Sequence, residues 1–268
     1  MANSISLEEC VVAAMDGTDK ELFPFLPYIL QDTWKIGADP ETIIALIQKH
    51  MHDFPNMNVL DLGCGKGAVS VLLSSKLKCS CYGIDAVPEF IDEANKKAKE
   101  YSVNNLCKFE VADIRIKMST LPRYDVIILG AVGPVLGNYF STLTSLAKNL
   151  HTDGVIIIDD GYIESNSSFT HPLILKQDEI HRQIEAAGMK LIDEAIIEKN
   201  EIKSADDQIF SNLKKRCLEL MDMHPEKHHL FEAYIKKQEE ENDVLENKII
   251  CSTMVIKRTN NCHNSERN

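Results

Sequence analysis

The sequence predicts an α/β protein whose sheet is preceded by helices and interrupted, between its last two strands, by a helical insertion. Three observations carry this. Between residues 57 and 158 short apolar runs alternate with helical patterns. A glycine-rich turn follows the first of those runs, and a long stretch near the C-terminus keeps helical periodicity where a strand connection would be short.

The front of the chain reads as three helices, 6–15, 20–30 and 40–51, with Asp39 and Pro40 as cap and first turn of the third. Then come NVLDL, a helix over 68–77, CYGID, a helix over 88–101, CKFEVAD, YDVIILG, a helix over 138–150 and GVIIID. Strand alternating with helix is the rhythm of a parallel sheet. Pro88 opens its helix where a missing N–H costs nothing, and Asp153-Gly154 turns the chain into the fifth strand. A polar segment, 159–171, leaves that strand. A helix over 174–187 closed by Gly188 and a strand over 189–197 follow, and the last strand is expected at 249–256. The stretch 198–248 repeats apolar residues at helical spacing (Ile209, Leu213, Cys217, Leu220, then Leu230, Phe231, Tyr234, Ile235) and is too long for a hairpin turn. The units expected are a helical cap (1–54), an α/β core (55–198), a lid (199–248), a last core strand (249–258) and a disordered tail (259–268).

Composition narrows the function. No apolar run approaches the roughly 18 residues of a membrane span. Residues 1–10 lack the basic and apolar segments of a leader and carry Glu8 and Glu9, and the eight cysteines show no disulfide-like spacing. A reduced, cytoplasmic setting without membrane attachment is expected. The net charge of −12 argues against a broad phosphate-neutralising surface, so no nucleic-acid partner is expected. Lys214, Lys215 and Arg216 form the densest basic run, but Glu219 and Asp222 follow closely and make it a solvated helix face. His224, His228 and His229 lack a third ligand and Cys79-x-Cys81 lacks a second pair, so no metal site is expected.

The chemistry concentrates at Asp61-Leu62-Gly63-Cys64-Gly65-Lys66-Gly67, a strand running into a turn where glycines let backbone amides approach a ligand. Asp85, about twenty residues on, ends the second strand, where a carboxylate grips a ribose hydroxyl pair. Gly63, Gly65 and Ala68 would also satisfy a dinucleotide-binding turn, and an NAD-dependent reductase is one competing reading. Dinucleotide turns, however, put an apolar residue at the place of Asp61, and no Tyr-x-x-x-Lys pair follows the sheet.

The string D-x-G-x-G-x-G resembles the first motif of class I S-adenosylmethionine-dependent methyltransferases, and the resemblance covers about residues 57–158 well. It implies a Rossmann-like, seven-stranded, mostly parallel sheet with an antiparallel last strand and S-adenosyl-L-methionine as cofactor. By similarity Asp61, Gly63, Gly65 and Gly67 surround the methionine part, and Asp85 holds the ribose with Ala86 near the adenine. Asp113 and the Ile114 amide meet the adenine ring, and Gly130 and Ala131 form the floor beside the sulfonium. Gly130-Ala131-Val132-Gly133-Pro134 departs from the N/D-P-P-Y string of the methylases that act on base or glutamine amino groups, which disfavours that subclass. The expected activity is methyl transfer to a small-molecule acceptor enclosed by the helical caps. The alternatives are a non-catalytic cofactor-binding scaffold or partner subunit, and protein or RNA methylation. Candidate catalytic bases are Asp160, Tyr162 and His171, with Glu164, all expected on the loop after the fifth strand. Trp34 is either an aromatic wall for the site or an anchor between cap and core.

Overall fold

The computed structural model describes residues 5–259. Seven strands, β1 (Asn58–Leu62), β2 (Ser80–Asp85), β3 (Cys107–Val111), β4 (Tyr124–Gly130), β5 (Leu150–Tyr162), β6 (Met189–Ile196) and β7 (Ile250–Arg258), form one sheet. Their order is β3-β2-β1-β4-β5-β7-β6. The first five strands pair in parallel, while β7 runs antiparallel to both β5 and β6. The sheet is therefore mostly parallel, as expected.

A parallel sheet must be covered on both faces. Alternation along β1 sends Val59 one way and Leu60 and Leu62 the other, and each is fully buried. On the first face Val59, Val126, Ile128, Val155 and Ile157 pack with Ile43 and Ile47 of α3 (Pro40–His50) and with Val71 and Leu73 of α4 (Ala68–Leu77). On the second, Leu60, Leu62, Ile127, Leu129, Ile156 and Ile158 meet α7 (Tyr139–Leu146) and α8 (Gln177–Ala186). Two more helices complete this core: α5 (Pro88–Glu100) joins β2 to β3, and the short α6 (Ile114–Lys117) follows β3.

A third apolar cluster lies apart from these. Val12 of α1 (Leu7–Ala14), Leu22, and Leu26 and Ile29 of α2 (Leu26–Ile29) pack against Leu213, Cys217 and Leu220 of α9 (Lys199–Met223) and Phe231 and Tyr234 of α10 (His228–Asn247). Both segments also touch the core through Val87 and Phe90 at the start of α5. Polar pins cross the same seam: Tyr28 donates to Glu219 at 2.8 Å, Tyr234 donates to the Met15 carbonyl at 2.9 Å, and Arg216 forks onto Asp32 at 2.7 and 2.9 Å. Arg216 thus leaves the basic run of α9, which the sequence reads as solvated, to bind the front of the chain.

Four boundaries differ from the sequence reading, each for a local reason. Pro24 splits the second front helix into a 3₁₀ turn (Lys20–Phe25) followed by α2. The helix expected over 138–150 ends at Leu146 in a 3₁₀ turn, because Leu150 already begins β5, and Asp153-Gly154, expected as the turn into that strand, lies within it. The helix expected from 174 starts at Gln177, because Lys176 bridges Ile163 in extended conformation. Most consequentially, β5 does not stop at Asp159. β7 pairs with Asp160, Gly161 and Tyr162 past the end of β4, so these residues are strand and not loop. Of the tail expected to be disordered from 259, Thr259 is fixed by two hydrogen bonds to the Gly188 carbonyl, and 260–268 lie outside the described residues. Among the described residues no helix is long and apolar enough to cross a membrane.

Candidate active site at the carboxyl edge of the sheet

β1, β2 and β4 end together at one edge, and the turn after β1 is built on the end of β2. The Gly63 and Cys64 amides donate to the Ile84 carbonyl at 2.8 and 3.0 Å. The Gly65 amide donates to Asp85 Oδ2 at 2.8 Å, and the Val87 amide donates to Oδ1 at 2.9 Å. Each Asp85 oxygen keeps a lone pair for a further donor. Gly65 has φ +50, and a Cβ added there would meet no atom within 4 Å. The left-handed backbone favours glycine here, but no packed neighbour does; a side chain would project into open space along the turn. Gly63 differs, since a Cβ there would come within 2.5 Å of Val132 Cγ1 in the loop after β4.

Two carboxylates define the electrostatics. Asp61 is 3% exposed, accepts from Ser70 Oγ at 2.7 Å, and is pushed up to about 6 by burial, with the Asp85 charge adding to the effect. Asp85 is also raised, chiefly by burial, against the opposing pull of the amides at Val87, Gly65 and Ala86. Among the described residues no basic side chain contributes to either shift, so the turn presents buried negative charge without a counter-ion from them. That suits a cationic ligand. Cys64 is buried between these charges and its thiol is held well above its ordinary value, so it is no nucleophile.

Asp113 serves as N-cap of α6, accepting from the Arg115 amide at 2.9 Å, and the Arg115 guanidinium forks onto its two oxygens. That pairing holds the carboxyl below its usual range. Arg115 also donates to the Ile5 carbonyl at 3.0 Å, which brings the front of the chain over this end of the turn. The Ile114 amide, in the first turn of α6, has no intrahelical acceptor. Ala86 is half-buried beside Asp85. At the end of β4, Ala131 adopts φ +54 and donates its amide to the Asp159 carbonyl at 3.0 Å, while a Cβ on Gly130 would lie 2.8 Å from that of Ala38.

The candidate bases separate. Asp160 is half-buried on β5, accepts from Tyr139 Oη at 2.9 Å and from the Gly161 amide at 2.8 Å, and is raised by desolvation. The same desolvation, with Asp160 alongside, holds Tyr139 well above its ordinary range, so it stays a donor. Tyr162, also on β5, accepts from Gln177 at 3.1 Å and is pushed up to about 12 by burial, with Glu194 adding to the effect. It lines a cavity of about 440 Å³ with Glu164, Ser165, Asn166, Gln177, Ile196 and Ile250, set beyond β5, β7 and β6 and away from the glycine turn. Glu164 and His171 are on the loop, where the His171 Nδ1 accepts from the Leu173 and Ile174 amides at 3.3 and 3.2 Å. Among the described residues no hydrogen bond joins it to Asp160 or Tyr162. Trp34 donates from Nε1 to the Lys66 carbonyl at 2.9 Å and packs on Tyr101.

Sequence reasoning missed three participants. Tyr139 lies 21 residues from Asp160 and only the fold pairs them. Ser70 sits one helical turn into α4, and its link to Asp61 has no sequence mark. Asp159 was legible as the last residue of GVIIID: it points to the face opposite Asp160, accepts from Thr253 Oγ1 at 3.0 Å, and is pushed up to about 6 by burial.

A model of the methyltransferase domain family matches residues 53–208. The chain is 28% identical over 141 residues to the ribosomal protein L11 methyltransferase of Thermosipho africanus, covering 51% of this chain and 46% of that one. It is 32% identical over 123 residues to (S)-coclaurine N-methyltransferase of Papaver somniferum, covering 44% and 34%. The chain thus spans about half the length, or less, of these curated relatives. Among solved structures, an S-adenosylmethionine-dependent methyltransferase from Thiobacillus denitrificans, in complex with S-adenosyl-L-homocysteine, superposes with a TM-score of 0.71 at 15% identity. The match covers 88% of this chain and 98% of that one. The cyclopropane synthase MmaA2 from Mycobacterium tuberculosis gives a TM-score of 0.72 at 15% identity, covering 95% and 99%. The chain belongs to the methyltransferase domain family and shares the fold of these solved S-adenosylmethionine-dependent enzymes.

S-adenosylmethionine fits the residues present. Its positive charge complements the buried carboxylate of Asp61, its ribose hydroxyls suit the lone pairs Asp85 keeps free, and no side chain on Gly65 fills the turn. Two measurements follow. Asp61 titrates near pH 6 in the free protein, so cofactor affinity by calorimetry is expected to fall about tenfold from pH 7.5 to pH 5. Asp61→Asn is expected to bind weakly with no such dependence; a wild type flat in pH contradicts the role. For Asp159 the folded state holds the proton more tightly than the unfolded chain does. Its ionisation therefore opposes folding above about pH 6, and the penalty is gone below about pH 4. Asp159→Asn is expected to stabilise the protein at pH 7.5 by up to about 3 kcal/mol in urea unfolding, the gain closing as the pH approaches 4. A loss of stability at pH 7.5 contradicts this.

Proposed function

We propose that the protein transfers the methyl group of S-adenosylmethionine to a small-molecule acceptor held beneath a cap made jointly by the N-terminal helices and the α9–α10 hairpin. The observation that carries this reading is the third apolar cluster. It joins segments from both ends of the chain and rests on Val87 and Phe90, beside the carboxyl edge where an open α/β sheet binds its ligands. A roof of this kind suits an acceptor small enough to be enclosed. The acidic chain offers little for a nucleic-acid backbone. A reduced, cytoplasmic setting belongs to the same reading, supported by the free thiols among the described residues.

In this reading Asp61, Gly63, Gly65 and Gly67 hold the methionine part, and Asp85 accepts from the ribose hydroxyls while organising the turn. Ala86, Asp113 and Ile114 flank the adenine, with Asp113 turning from Arg115 to do so, and Gly130 and Ala131 lie under the sulfonium. Bound there, the cofactor supplies an already activated methyl group. What remains for the protein is to align the acceptor opposite the carbon–sulfur bond, to exclude water and, for a hydroxyl or ammonium acceptor, to take a proton. Asp160 is the preferred base: its carboxylate is half-buried and raised, and Tyr139 and the Gly161 amide hold it in one orientation. Tyr162, kept protonated and engaged by Gln177 in the cavity away from the glycine turn, has no part in the transfer. His171, whose ring nitrogen is engaged by its own loop, has no part in the reaction.

The test is transfer of label from methyl-tritiated S-adenosylmethionine, offered separately to pooled small metabolites, to protein and to RNA. Label expected in a small product, reduced at least tenfold in kcat by Asp160→Asn, supports the proposal. Label only in protein or RNA overturns the acceptor class, and binding without transfer to any acceptor favours a non-catalytic subunit. Gly65→Ala is expected to weaken S-adenosylhomocysteine binding at least tenfold, since its methyl enters the cofactor's space, while the melting temperature moves by no more than about 5 °C. Unchanged binding would remove Gly65 from the cradle.

A further inference from the structure

Lys66 stands in the middle of the glycine turn, yet its side chain does not reach toward the ligand side. The residue is 6% exposed, and its ammonium donates to two main-chain carbonyls of the cap, Leu30 at 2.5 Å and Thr33 at 2.7 Å. Its own carbonyl accepts from Trp34 Nε1 at 2.9 Å. Both ends of one residue thus grip the turn over 30–34. Trp34 is seated in addition on α5, with its ring 5.3 Å from Tyr101 and 5.2 Å from the Lys97 ammonium. A few residues on, Gly37 and Ala38 lie against the floor: a Cβ on Gly37 would come within 2.6 Å of the Ala131 Cβ.

Stability alone does not explain this arrangement. Among the described residues the ammonium has no carboxylate within ion-pair distance; its neighbours are carbonyls and, at 5.7 Å, the Phe90 ring. Burial pushes it down to about 8, with Glu93 and Asp32 opposing at longer range. A buried cation without a carboxylate partner is costly, and here two main-chain carbonyls are all that accept from it among the described residues. What methionine, of similar length, cannot do is hold the 30–34 carbonyls to the backbone between Gly65 and Gly67.

We propose that Lys66 is a positioning residue that couples the cofactor turn to the cap. Ordering of residues 63–67 by the cofactor fixes the Lys66 backbone; its ammonium and carbonyl then fix 30–34, and that turn holds 36–38 over Gly130 and Ala131, closing the roof on the acceptor side. Cap closure follows cofactor occupancy through this one residue. The proposal rests on the assignment of 63–67 to the cofactor.

The test is backbone hydrogen exchange on the full-length protein, with and without S-adenosylhomocysteine. In the wild type the ligand is expected to slow exchange at both 63–67 and 30–38. In Lys66→Met, protection at 63–67 is expected to persist while exchange at 30–38 in the liganded protein becomes at least tenfold faster than in the liganded wild type. The melting temperature is expected to stay within about 5 °C. Lys66→Arg, which keeps donors for the two carbonyls, is expected to restore most of the lost protection. Equal ligand-dependent protection of 30–38 in wild type and Lys66→Met overturns the proposal. Should Lys66→Met fail to fold, Trp34→Phe removes the other limb of the clasp and is read identically. Failure of the wild type to bind S-adenosylhomocysteine would sink the cofactor assignment. The clasp would then be judged on the unliganded proteins, where exchange at 30–38 unchanged by Lys66→Met overturns it.

Discussion

The Asp85 carboxylate is the joint on which the site depends. By accepting the Gly65 amide on one oxygen and the Val87 amide on the other, it fastens the turn after β1 to the start of α5, so three consecutive elements of the sheet's edge share one anchor. Buried charge is costly, and here the cost is met by main-chain donors and not by a basic side chain. The turn therefore keeps its negative character, which a neutralising lysine would have cancelled. The one lysine at hand, Lys66, is turned away and spends its charge on the cap.

That division explains how two structures of different kinds meet. The α/β core is held by apolar layers on both faces of its sheet, and the cap by an apolar cluster of its own. Contact between them is polar at the places where ligands belong: Lys66 to 30–34 and Arg115 to Ile5. Hydrogen bonds of this sort are directional and modest in net strength, which suits surfaces that must part and close again.

The fold was legible because its signals are local. Strand and helix alternate with the correct periods, Pro88 and Gly188 punctuate where the chain turns, and D-x-G-x-G-x-G names a turn that the sheet's edge then displays. What escaped the sequence depends on pairing across long separations. GVIIID stops looking like a strand at Asp159, since Asp160, Gly161 and Tyr162 are poor advertisements for one; only β7, about ninety residues later, supplies the hydrogen bonds that extend it. The same reason hid Tyr139 behind Asp160 and Lys66 beneath Thr33. His171, by contrast, drew notice for its residue type alone, and its surroundings give it a turn-forming part.

The extension of β5 has a consequence for how the two neighbouring acids are told apart. Asp159 faces Thr253 on the α3 side and Asp160 faces Tyr139 on the α7 side, an assignment made purely by the odd and even count along one strand. Nothing in the pair Asp-Asp distinguishes its members; the register with β7 does. A slip of one residue between these strands would exchange their faces and leave composition, charge and sequence motif untouched. The chemical identity of each carboxylate is in this sense a matter of parity, kept by the ladder that runs from Val155 opposite Lys257 to Tyr162 opposite Ile250.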